Sequence, residues 1–352
     1  MAKAKSLVRR RRAAGTTARR VGCLGLLTLV IAAFAVASCT HPLTQGAFLM
    51  SAPVTPRFDP ENHVFVADDG ARLGLTVWPA KGVETPELVV VGVHGMNDYA
   101  NAFHMAAPYW AENGVTTYAY DQRGFGRSPG RGIWPEEELM REDLRAAVSV
   151  ARARHPKAVI TVVGISMGGS VAMSAFGSDR PPAADRLIAS GPGLRGWGAM
   201  NPIYKASLWA STHTRPGWIV RPPRRLVKIE PSDNVEMLRR TWSDPLMMTF
   251  NRIDQVYGVV RLMETAHMRA GRLPAGLPTL LSYGANDLVI PPAGVKRTSR
   301  NLPDGVRTVY YPNGYHMLLR DLQAESVQAD YLAFMRDPAS PLPSGRSEWP
   351  WR

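Results

Sequence analysis

A serine with a glycine two residues before it and another two after it, Gly164-Ile165-Ser166-Met167-Gly168, has the residue types and spacing of an activated hydroxyl nucleophile. The turn presenting such a serine is sharp, and a Cβ at Gly164 or Gly168 would collide with neighbouring backbone. The residue after the serine must offer a backbone N–H to the oxyanion that develops on attack, and Met167 has one. A second copy of the spacing, Gly126-Arg127-Ser128-Pro129-Gly130, fails that requirement because proline carries no N–H. Ser128 is therefore read as loop structure.

A serine hydroxyl attacks a carbonyl only when a base removes its proton. Among eight histidines, His316 is the candidate, because it follows the apolar run Arg307–Tyr311 through the loop 312–315. His94 also ends an apolar run, but Gly95-Met96 after it makes it a turn-former. The base needs an orienting carboxylate. Asp287, in Gly284-Ala285-Asn286-Asp287 after the run Thr279–Tyr283, fits that role; its alternative is a turn aspartate capping the next helix. The chain order Ser166, Asp287, His316 is the order expected of a serine elbow on an α/β sheet. The second oxyanion donor is assigned to the Met96 N–H, with Gly95 letting that backbone approach the substrate. This chemistry requires no metal and no organic cofactor.

These residues need a scaffold that brings them together. Ala158–Val163 reads as a buried strand running into Ser166, and Met167–Phe176 as a helix packed on a sheet. A hairpin is expected over Val64–Val66 and Arg72–Trp78, around Asp68-Asp69-Gly70. Further strands are expected at Leu88–Val93, Val115–Tyr120, Arg186–Ser190, Thr279–Tyr283 and Arg307–Tyr311. Helices are expected over Asn101–Glu112, Pro135–Arg154, Ala293–Asn301 and Leu318–Met335. The alternation implies a mostly parallel sheet covered by helices on both faces. Ligands in such sheets sit at the carboxyl ends of the strands, where every candidate falls.

The alternation stops over residues 192–272, which read as short helices of an inserted cap. Trp197, Trp209, Trp218, Trp242, Met247 and Met248 there either pack the cap to the core, or line an acyl tunnel or face a membrane. Arg221, Arg224, Arg225 and Lys228 read as a solvated loop, with an anionic head group as the alternative partner. The core is expected at 61–191 and 273–336, with residues 40–60 as a tether and 337–352 as a Pro/Ser-rich disordered tail.

The 352 residues are 45% hydrophobic and 20% charged, which is ordinary for a globular chain. The formal charge of +13 resembles a nucleic-acid signal until it is located. Lys3, Lys5, Arg9, Arg10, Arg11, Arg12, Arg19 and Arg20 fall in the first 38 residues, which hold no acid; removing those eight from +13 leaves +5. No base-reading basic helix or zinc-finger spacing is present, so no nucleic-acid partner is expected. Residues 1–39 read as a secretory signal: a basic start, an apolar stretch from Val21, then Val36-Ala37-Ser38-Cys39. The last four resemble a bacterial lipobox, which implies lipidation of Cys39 and a catalytic domain anchored to a membrane of the cell envelope, outside the cytoplasm. An uncleaved signal anchor is the alternative. Both cysteines, Cys23 and Cys39, lie in this leader, so the domain itself has no disulfide and no thiol nucleophile.

Five segments carry a family resemblance: Val93-His94-Gly95-Met96, Tyr120 to Ser128, Gly164 to Gly169, Gly284 to Asp287, and Tyr315-His316. In these the chain resembles the monoacylglycerol lipase and lysophospholipase branch of the α/β-hydrolases, which shades into serine aminopeptidase-like relatives. The resemblance covers about residues 60–336 and includes a cap at the same topological point. It implies an α/β-hydrolase fold and hydrolysis of an ester in a single-chain lipid, monoacylglycerol or lysophospholipid. Gly164-Ile165 stands where the family commonly has Gly-His, and the cap sequence departs from the family. A carboxylesterase, thioesterase or aminopeptidase of the same fold is the alternative, and a non-catalytic lipid-binding lipoprotein is a further one.

Overall fold

The computed structural model describes residues 41–50, 52, 54–221 and 230–351. The leader with Cys39 lies outside the described residues, as do Arg224, Arg225 and Lys228.

Nine strands form one sheet: β1 (Arg57–Asp59), β2 (Val64–Val66), β3 (Arg72–Trp78), β4 (Leu88–Val93), β5 (Val115–Tyr120), β6 (Val159–Ile165), β7 (Arg186–Ser190), β8 (Thr279–Gly284) and β9 (Arg307–Tyr311). The spatial order is β9-β8-β7-β6-β4-β5-β3-β2-β1. From β9 to β5 every pairing is parallel, and β3, β2 and β1 add an antiparallel edge. Among the described residues eight α-helices accompany it: α1 (Ala106–Glu112), α2 (Glu137–Arg154), α3 (Met167–Phe176), α4 (Pro202–Thr214), α5 (Val235–Ser243), α6 (Ile253–Arg269), α7 (Pro292–Ser299) and α8 (Ala324–Arg336).

Side chains alternate across a strand, and here both faces are apolar. Val89, Val91 and Val93 of β4 join one core with Leu144 of α2, Val171 of α3 and Leu262 of α6. Val90, between them, joins the other core with Trp110 of α1 and Tyr331 of α8. Burial on both faces is why these strands read as unbroken apolar runs. After β4 the chain moves to one side, to β5, then returns to the other side, to β6. The crevice between the ends of β4 and β6 is therefore a topological switch point.

Several segments differ from the sequence reading; α1 and α8 start at Ala106 and Ala324, not at Asn101 and Leu318. The long helix α2 starts at Glu137, and Pro135 pairs instead with Gln45 in a short parallel ladder. The segment expected as a tether, 40–60, is fastened to the domain through its described residues. The Gln45 amide donates to the carbonyls of Gly130 (3.1 Å) and Ile133 (2.8 Å), the Leu43 amide donates to Asp254 (3.1 Å), and β1 extends the sheet. The tail is ordered too. Trp349 is buried, its indole N–H donating to the Val309 carbonyl at 3.1 Å, and the Tyr310 amide donates to Ser347 at 2.9 Å. The tail covers the otherwise open edge of β9, and its tryptophans supply the apolar area that its Pro/Ser composition hides. Finally, α6 belongs to the core layer, because Leu262 and Ala266 are fully buried beside α3. The inserted cap proper therefore ends before α6, short of the residue 272 expected. Among the described residues no helix is long and apolar enough to cross a membrane.

Candidate active site

Ser166 follows β6 directly and precedes α3, with φ 53° and ψ −116°. That is a strained conformation for a residue with a side chain, and such strain persists only where the surroundings impose it. They do so here by crowding. A Cβ at Gly168 would lie 2.1 Å from the Val93 carbonyl oxygen, and one at Gly164 would lie 2.6 Å from the Gly168 carbonyl oxygen. The Ser166 amide donates to the Ser190 carbonyl at 2.9 Å, which pins the turn to β7.

The three candidates meet. His316 Nε2 lies 2.9 Å from Ser166 Oγ, and its Nδ1 lies 2.8 Å from Asp287 Oδ2. All three residues are buried. The other Asp287 oxygen accepts the amides of Val289 (2.9 Å) and Ile290 (2.8 Å), which fixes the carboxylate plane. A carboxylate only accepts, so Nδ1 carries the imidazole proton and Nε2 is left as the acceptor facing the serine hydroxyl. That tautomer is the one a general base needs.

Met167 is the first residue of α3, so its amide has no intrahelical acceptor. The Met96 amide lies in the turn after β4 and donates to no other backbone group among the described residues. Gly95 brings that turn against the nucleophile: a Cβ there would sit 3.2 Å from Ser166 Cβ. Two N–H groups thus flank the serine from β4 and α3.

His94 takes no part in the relay. Its Nε2 accepts the Gln122 amide at 2.8 Å and its Nδ1 faces the Gly95 carbonyl at 2.7 Å, so it ties the β4 and β5 loops. Burial lowers its pKa, which keeps the ring neutral. Ser128 is structural as expected. Its hydroxyl donates to the Asp121 carbonyl (2.5 Å) and accepts the Gly74 amide (3.0 Å). Of the cap candidates, Met248 is buried in the main core, Trp197 packs against a small cluster of Leu208, Ile253 and Val260, and Trp209, Trp218 and Trp242 are exposed. Arg221 is exposed. Among the described residues no group of three His, Cys, Asp or Glu side chains gathers to hold a metal.

The sequence reading missed a second tier behind the site. Arg320 donates to Asp98, both buried, so the loop after His316 is joined to the turn after Met96. Asp321 accepts the Tyr315 amide at 2.7 Å, next to His316. Burial pushes the Asp321 carboxyl up to about 6, and its Oδ1 has no partner. No periodicity marks the Arg320–Asp98 pair, because it joins residues 222 positions apart in the chain.

The family model described as Hydrolase_4, serine aminopeptidase S33, matches residues 84–323. The chain is 28% identical to a monoacylglycerol lipase of Mycolicibacterium smegmatis over 278 residues, covering 78% of this chain and 96% of that one. It is 23% identical to the monoglyceride lipase of Rattus norvegicus over 279 residues, covering 76% and 89%. Among solved structures, a soluble variant of the Saccharomyces cerevisiae monoglyceride lipase superposes with a TM-score of 0.64 at 18% identity, over 84% of this chain and 99% of that one. The Paleococcus ferrophilus monoacylglycerol lipase superposes at 0.60 with 23% identity, over 76% and 99%.

Proposed function

The chain belongs to the serine aminopeptidase S33 family of α/β-hydrolases, and from that premise we propose that it hydrolyses carboxylic esters of single-chain lipids, monoacylglycerol or lysophospholipid, through an acyl-enzyme. The observation that carries this reading is the relay from Asp287 through His316 to Ser166, closed at 2.8 Å and 2.9 Å. The relatives named above as monoacylglycerol lipases support the choice of lipid.

In the reaction, Ser166 Oγ attacks the ester carbonyl while His316 Nε2 takes the hydroxyl proton. The carbonyl oxygen becomes an oxyanion held by the Met96 and Met167 N–H groups. The tetrahedral intermediate collapses, the C–O bond to the alcohol breaks, and the imidazolium returns its proton to the leaving glycerol or glycerophospho group. Water, deprotonated by the same imidazole, then attacks the acyl-serine and releases the fatty acid. Asp287 holds the imidazole in its reactive tautomer throughout and stabilises the imidazolium. The glycines Gly95, Gly164 and Gly168 hold the turns close enough for this geometry. For location, the leader pattern supports a lipidated Cys39 and a domain held at an envelope membrane, outside the cytoplasm.

The test is a substrate panel of long-chain monoacylglycerol, lysophospholipid, short p-nitrophenyl esters and aminoacyl amides. The highest kcat/KM is expected for one of the two lipids. Turnover of amides with none of esters would overturn the reading in favour of an aminopeptidase.

A further inference from the structure

The cap segment at 231–248, α5 with its two flanks, touches the body of the enzyme in an uneven way. Apart from the Pro245 carbonyl, which accepts Arg131 at 2.6 Å, its polar contacts to the body gather around the two turns that carry the reacting groups. On the N-terminal flank, the Pro231 carbonyl accepts the Met317 amide at 2.9 Å, one residue after His316. Asp233 Oδ1 accepts the Leu322 amide at 2.8 Å, and the Asn234 amide group donates to the Arg320 carbonyl at 3.1 Å. On the C-terminal flank, the Met248 amide donates to the Asn97 carbonyl at 2.9 Å, one residue after Met96. The Tyr99 hydroxyl donates to Asp244 Oδ2 at 2.5 Å. Asn97 has φ 68°, so the oxyanion turn is itself held in a left-handed conformation. Beneath both turns lies the buried Arg320–Asp98 pair.

We propose that this cap segment is a bracket that positions the machinery, holding the His316 loop with one flank and the Met96 turn with the other. Asp233 and Tyr99 are then positioning residues that act through backbone, and neither touches the reacting atoms. An insertion that merely covers a binding cleft needs only to bury its apolar face, and α5 does this with Met237 and Leu238. Hydrogen bonds placed next to the base and next to an oxyanion donor serve a different end. Catalytic groups displaced by about 1 Å lose up to about a hundredfold in rate, so the seat of the cap sets kcat even for a substrate too short to reach the cap.

This inference rests on the ester hydrolase reading, and its test separates the two. Asp233→Ala, Asp233→Asn and Tyr99→Phe are assayed on p-nitrophenyl acetate, with melting temperature followed in parallel. Asp233→Ala is expected to lower kcat about tenfold with KM within about twofold of wild type. Asn keeps the Oδ1 acceptor, so Asp233→Asn is expected to restore kcat to within about twofold of wild type. Tyr99→Phe, which keeps the ring and loses one hydrogen bond, is expected to lower kcat about threefold to tenfold at an unchanged melting temperature; it stands in for Asp233→Ala should that variant not fold. Unchanged kcat in Tyr99→Phe and Asp233→Ala, a defect confined to KM or to long-chain esters, or failure of the Asn rescue would overturn the bracket. A wild-type enzyme that turns over no ester at all would instead sink the hydrolase reading.

Discussion

Ser128 and Ser166 sit between glycines at the same spacing, yet only one has a base beside it. Ser128 spends its hydroxyl on the Asp121 carbonyl and the Gly74 amide, whereas Ser166 faces His316. Ser128→Ala should keep ester turnover while losing about 1–2 kcal/mol of stability, since it leaves buried groups without partners. Asp287→Asn should lower kcat by about 10⁴, because an amide at that position favours the wrong imidazole tautomer. Asp321 carries the pH prediction. Its folded pKa, raised to about 6 by burial, lies above the unfolded value of about 3.9, so the folded state binds the extra proton. The contribution is present at low pH and is lost as pH rises through about 6. Relative to Asp321→Asn, the wild type should lose on the order of 2 kcal/mol between about pH 4 and pH 7. Urea unfolding across that range checks it, and parallel curves would contradict it. At this scale the relay was legible in the sequence because proline, glycine and chain order each constrain chemistry. Asp98 and Arg320 were not, since a buried ion pair between distant loops leaves no local pattern.

Elements were legible where one rule governs them. Strands buried on both faces show as β-branched runs, and β4, β6, β8 and β9 lie where those runs predict. The two termini of the described fold failed that test because their anchoring is made of isolated contacts: one Gln45 side chain on two carbonyls, one Trp349 indole under β9. Such contacts have no period to detect. Trp349→Ala should therefore cost about 3–5 kcal/mol, as expected for a buried aromatic rather than for a disordered tail. Thermal unfolding measures it, and an unchanged melting temperature would show that the tail contributes nothing. The boundary of the cap was misplaced for a related reason. Met263 in α6 fits the methionine-rich composition of the cap, but it packs against the core that Leu262 and Ala266 enter.

At the scale of the whole molecule, the fold explains why three residues 121 and 29 positions apart can act together. Ser166, Asp287 and His316 follow β6, β8 and β9, parallel strands whose carboxyl ends share one sheet edge. The turn with Met96, the proposed oxyanion donor, follows β4, the neighbour of β6. A parallel sheet with a strand-order reversal places all four loops on one rim without any loop being long. The cap enters between β7 and β8, over that rim, and its α5 segment reaches back to both sides of it. The central claim is that this rim forms an acyl-enzyme at Ser166. Mass spectrometry of the protein after treatment with a fluorophosphonate tests it most directly. A single adduct on the Ser166 peptide is expected, with Ser128 unmodified and ester hydrolysis lost in proportion to the label. Full hydrolysis by protein whose Ser166 is completely modified, or an adduct on another serine that abolishes activity, would contradict it.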